Sequence, residues 1–198
     1  MSLTQVDPVA ALIVIDLQKG IVAFPTAHPS SEIIKRSAQL AQVFRECGLP
    51  VILVKVGPGG RPNSSLPKLE LPPDWTDLVS ELDPQPSDYL VTKLRIGAFV
   101  GTSLDEILRK HEVTQIFLAG IATSVAVEAT GRCAYDFGYN VVHVLDAMTD
   151  IDLEAHRYCI ESVFPRFGET DSTENVLKLL EPHINVRVSS ASARSHLD

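Results

Sequence analysis

The sequence predicts an α/β protein, a three-layer, doubly wound sheet of about six parallel strands with helices on both faces. Short, β-branched-rich runs that are apolar through both faces alternate with helical patterns almost throughout the chain. Such alternation implies parallel strands joined by right-handed crossovers. The 45 % hydrophobic content of 198 residues is enough for one sizeable core.

Strands are expected at VAALIVID (9–16), PVILVKV (50–56), DYLVTK (88–93), TQIFLAG (114–120) and YNVVHVLD (139–146), with a weaker sixth at INVRV (184–188). Helical spacing falls at 31–47, 103–111, 123–137, 152–164 and 173–181. Ser103 and Glu106 have the spacing of a capping box, and Gly48 with Pro50 should end the first helix. The organisation expected is one domain over 1–188, with a polar tail at 189–198. The proline-rich segment 57–86 breaks the rhythm, and it reads as a lid, an interface loop or a proline-stiffened surface loop. Trp75 within it would be either a ligand-stacking ring or the hydrophobic anchor of the loop, and the anchor is favoured.

A net charge of −8 argues against nucleic acid or an anionic membrane as partner. The apolar run Val9 to Ile15 is too short to span a bilayer, and the polar stretch Met1 to Pro8, without Lys or Arg, gives no expectation of a signal peptide. Cys47, Cys133 and Cys159 are odd in number and lack CxxC spacing, so free, buried thiols in a reducing cytoplasm are expected. GPGG (57–60) is no dinucleotide fingerprint. The six histidines show no metal-binding spacing and read as surface or capping residues, so neither a metal nor a cofactor is expected.

In doubly wound sheets ligands sit beyond the carboxyl ends of the strands. That rule selects Asp16 after the first strand, Lys93 at the end of the third, and the turn from Gly120 to Ala126 after the fourth. A carboxylate at the end of a core strand is costly unless paired, and Lys93 is its natural partner. The bland alternative is a buried salt bridge with no catalytic role. The turn would aim helix N-terminal N–H groups at an anion, or would simply be capped by Thr123 or Ser124.

The segments IDLQ (15–18), TKLRIGAFVGTSLDEIL (92–108), LAGIATSVAVEATGRCAYDFGYNVVHVLDA (118–147) and FPRFGETDST (164–173) together resemble the isochorismatase-like hydrolase family over roughly residues 10–180. The resemblance implies Asp16 and Lys93 as catalytic residues and Gln18, Phe24 and Phe99 as pocket neighbours. It also implies a cis peptide at Ile121–Ala122, and with it a substrate-facing turn of Ile121, Ala122, Thr123 and Val125. Family members generally form homo-oligomers and act on small-molecule substrates.

Amidase members of the family read GxxTxxCV in this turn, and counting from Gly120 and Thr123 puts Ala126 in the cysteine slot. Cys133 lies seven positions on, roughly 10 Å along a helix, and shares a stripe with Ala122, Val125, Ala126 and Ala129, so it reads as core. The metal-binding nicotinamidases carry an aspartate and histidines after strand two, where this chain has VGPGG. Isochorismatases proper lack the cysteine too. They cleave a vinyl ether, an aspartic acid protonating the vinyl carbon. Asp16 could be that acid if burial offsets the pull of Lys93, with Arg61 and Arg95 as candidate contacts for a substrate carboxylate. The alternatives are a non-catalytic binding protein or scaffold on the same fold and, with a shifted alignment, a cysteine-dependent amidase.

Overall fold

In a computed structural model whose described residues are 2–58 and 70–182, six parallel strands form one sheet in the order β3-β2-β1-β4-β5-β6. The strands are β1 (Ala10–Ile15), β2 (Val51–Val56), β3 (Tyr89–Lys93), β4 (Gln115–Ile121), β5 (Asn140–Thr149) and β6 (Glu169–Asp171). The helices are α1 (Lys19–Val22), α2 (Ser30–Cys47), α3 (Leu104–Lys110), α4 (Glu128–Asp136), α5 (Leu153–Tyr158) and α6 (173–182). Strand order reverses between β1 and β4, and both of these strands are buried along their whole length.

Alternate side chains of the central strands feed two cores. Leu12, Val14 and Phe117 pack toward α2, and Ile13, Ile15, Val54 and Leu118 pack with Leu104, Leu108 and Ala134 of α3 and α4. The period of two along each strand produces this division. α2 buries Ile33, Ile34, Leu40, Ala41 and Phe44 at helical spacing, and Phe44 meets Phe117 edge to face at 5.3 Å. Gly48 ends α2 at φ 73°, a conformation that suits glycine, and Leu49 N–H then closes onto the Phe44 carbonyl.

The strand expected at 184–188 lies outside the described residues; among the described residues a strand that was not expected, Glu169–Asp171, pairs with Val142–Val144. Its three residues are half-buried and polar, so no apolar run announces it. Ser103 stands at the N-cap of α3 but makes no capping bond; Thr102 Oγ1 accepts from Leu104 N–H instead. The helices predicted at 123–137 and 152–164 each contain a wide π turn, at Thr123–Val127 and Cys159–Val163. Only Cys159 is buried, whereas Cys47 and Cys133 are half-buried.

His143 is not a surface or capping residue. It is fully buried in β5 and stacked on Phe164 with ring centroids 3.8 Å apart. Burial pushes its pKa down to about 3, which keeps the ring neutral in the core.

Candidate active site

Asp16 follows the last residue of β1 with φ 56°, and its side chain is buried. Gly120 of β4 permits this crowded end of the sheet. It has φ 124°, and a Cβ there would lie 2.0 Å from the Ile15 carbonyl oxygen, so no other residue lets β4 approach so closely. Lys93 ends β3, with β2 between it and β1. Strands lie about 4.8 Å apart, so the two backbones are roughly 10 Å distant and the four methylenes of the lysine must cross β2. They do so: Lys93 Nζ lies 2.8 Å from Asp16 Oδ2 and also donates to the Arg95 carbonyl at 3.3 Å.

The pair is buried on both sides, with side chains 3 % and 7 % exposed. Burial pushes the Asp16 carboxyl up from its ordinary 3.8 to about 6, although Lys93 pulls it down. Desolvation therefore outweighs the adjacent cation. Asp16 Oδ1 is buried without a hydrogen-bond partner. A carboxyl oxygen stranded in this way is uncommon in a structural ion pair.

Ala126 is buried in the π turn that opens the fourth crossover helix, in the same packed cluster as Ile13, Ile15, Val54 and Val91. In that turn Val127 N–H reaches back five residues to the Ala122 carbonyl, and Ile121–Ala122 is cis. Val125 points away and is 46 % exposed, so it shares no buried stripe with Cys133. Burial raises the Cys133 thiol pKa, with Asp136 and Asp105 adding to the rise.

The helix start is not capped by the hydroxyl of Thr123 or Ser124. Asp150 Oδ2 accepts from Ser124 N–H at 2.7 Å and from Ser124 Oγ at 2.8 Å, so the protein's own carboxylate occupies a donor expected to await a ligand. Thr123 is buried, and its Oγ1 meets His156 Nδ1 at 2.8 Å. Asp150 and His156 escaped the sequence reading. The rule that selected Asp16 would have found Asp150, but β5 runs through an irregular register to Thr149, beyond the predicted end at 146.

The other predicted neighbours divide. Gln18 is fully buried and spent on backbone: its Nε2 donates to the Val56 and Trp75 carbonyls, and its Oε1 accepts from Val56 N–H. It therefore fixes the floor of the site and leaves no amide proton for a substrate. Phe24 is exposed, on a segment between α1 and Ala27, whose N–H donates to the Asp150 carbonyl. Phe99 is buried in the same core cluster as Ala126, with its ring against Phe137 and Tyr139. Arg95 is exposed, and Arg61 lies outside the described residues.

Trp75 anchors its loop. The Trp75 carbonyl accepts from Gly20 N–H and from Gln18, and the ring fills the space in front of Gly20 Cα. A Cβ on Gly20 would fall 2.0 Å from the ring, so Gly20→Ala should displace Trp75. The expected cost is about 1–3 kcal/mol with a blue-to-red shift of tryptophan emission, checked by urea melts and fluorescence. Unchanged emission would mean that the loop is held elsewhere.

The Isochorismatase domain model matches residues 10–175. The chain is 36 % identical to the isochorismatase family protein YwoC of Bacillus subtilis (strain 168), over 85 % of this chain and 92 % of that one. Against the family protein YecD of Escherichia coli O157:H7 it is also 36 % identical, over 86 % and 95 %. A solved isochorismatase family structure from Burkholderia thailandensis superposes with a TM-score of 0.85 at 37 % identity, covering 91 % of this chain and all of that one. The fold and these matches define a hydrolase of the isochorismatase type. The chain belongs to the isochorismatase family.

Proposed function

We propose that this family member hydrolyses a small molecule without a thiol nucleophile, with Asp16 as proton donor and Ala126 in the slot where amidase members carry cysteine. The observation that carries the reading is the Asp16 carboxyl itself, half engaged by Lys93, with its other oxygen unpartnered and its pKa raised to about 6. An acid poised there holds its proton in about one molecule in ten at pH 7, and substrate binding, by excluding water, raises that share.

On a vinyl ether, Asp16 would deliver its proton to the terminal carbon, leaving a cation shared between the ether carbon and its oxygen. Water would add to that carbon and return a proton to the Asp16 carboxylate, and the resulting hemiketal would collapse to a ketone and an alcohol. Lys93 would hold the carboxylate that proton transfer leaves behind, which lowers the cost of the step. Exposed Leu94, Ile96 and Val100 beside the site favour a homo-oligomer that covers them.

Ala126→Cys tests the slot. A neighbouring lysine such as Lys93 can lower a cysteine pKa by a unit or more below ~8.5. The new thiol should therefore react with iodoacetamide near neutral pH much faster than Cys47, Cys133 or Cys159, as read by peptide mapping. The rate should drop when Asp16 or Lys93 is also replaced. Labelling no faster than that of the native three would place the slot elsewhere, while a screen of vinyl ethers and amides on the unaltered protein reports turnover.

A further inference from the structure

A cavity of about 380 Å³ lies between the start of α2, the end of β5 and α5. Small-molecule pockets run from ~300 to 1,000 Å³. Neither Asp16 nor Lys93 lines it. Ile33, Leu145 and Met148 supply its apolar wall, and Glu32, Arg36 and Asp146 supply its charges.

Glu32 and Arg36 stand one turn apart on α2, the spacing at which a glutamate and an arginine ordinarily pair. They do not pair. Arg36 Nη1 goes to Asp146, reaching Oδ2 at 2.8 Å and the carbonyl at 3.0 Å. Asp146 Oδ1 is in turn taken by Thr173 N–H and Oγ1, so Asp146 is fully engaged. Among the described residues, the Glu32 carboxylate has no partner, and Nε and Nη2 of Arg36 have none either. A free anion would meet the carboxylates of Glu32 and Asp146, and a free cation on Glu32 would leave the open edge of Arg36 unused. A molecule bearing both charges satisfies both.

We infer that this cavity binds an α-amino acid with an apolar side chain. Its ammonium sits on Glu32, its carboxylate on the unused edge of Arg36, and its side chain among Ile33, Leu145 and Met148. The imidazoles of His28 and His156, with centroids 4.8 Å apart, close the wall. Each has one nitrogen committed, His28 Nδ1 to Thr149 and His156 Nδ1 to Thr123. A ligand here therefore touches the ring that holds the first residue of the π turn.

The test is calorimetry and histidine-ring NMR on the full chain with L-leucine as probe. Leucine should bind once per chain and shift the His28 and His156 ring signals. Its two halves, 4-methylpentanoate and 3-methylbutylamine, should each bind at least about ten-fold more weakly. Glu32→Gln should weaken leucine by a similar factor with an unchanged circular dichroism spectrum. The inference is overturned if leucine gives neither heat nor shifts at millimolar concentration, if either half binds as tightly, or if Glu32→Gln binds leucine normally. Shifts confined to His111 or His143 would overturn it too, since those rings lie elsewhere.

Discussion

Asp16→Asn should fold normally and lower kcat for any accepted substrate by about 10²–10⁴-fold, the range contributed by a positioned general acid. Asparagine keeps the size and the polar end of the side chain, and its carbonyl can still accept from Lys93. It cannot deliver a proton. The KM should change little, because the residue acts in the transition state rather than in binding. The unaltered enzyme should be active while Asp16 is protonated and lose rate as pH rises through about 6. Wild-type turnover in the variant would make Asp16 structural, and the ion pair no more than a staple between β1 and β3.

Lys93→Met should show the opposite face of the same pair. Removing one partner of a buried ion pair costs about 3–5 kcal/mol when the other must stay charged. Here the remaining carboxyl can escape by keeping its proton. Without Lys93, only burial acts on Asp16, and its pKa climbs above the present value of about 6. Asp16 already has a folded-state pKa above its unfolded value, so its own contribution to stability is fully present below the unfolded value and is lost as pH rises through the folded pKa. The variant extends that loss to higher pH. Destabilisation relative to the unaltered chain should therefore be small at pH 5 and approach the full range at pH 8, as measured by urea unfolding. Equal losses at the two pH values would show that Asp16 does not change its ionisation.

The sheet was legible because buried parallel strands write themselves as apolar runs, and Asp16 and Lys93 because charge at the end of such a run needs a reason. β6 was not, since Glu169, Thr170 and Asp171 are half-buried on a sheet edge and carry no apolar signal. The π turn leaves no compositional trace: its mark is a hydrogen bond from Val127 to Ala122, shifted by one residue from the α pattern. Asp150 was hidden behind the irregular middle of β5, and its carboxylate, not a hydroxyl of the turn, caps the helix that follows β4.

The central claim is that a buried aspartic acid, not a thiol, carries the reactive proton. A carboxyl carbon-13 NMR titration of the unaltered chain, with Asp16 assigned by its absence in Asp16→Asn, measures that directly. The account predicts a midpoint near 6, where burial has overcome the pull of Lys93. A midpoint at or below the ordinary 3.8 would contradict it, because Asp16 would then be a permanently ionised partner of Lys93 with no proton to give.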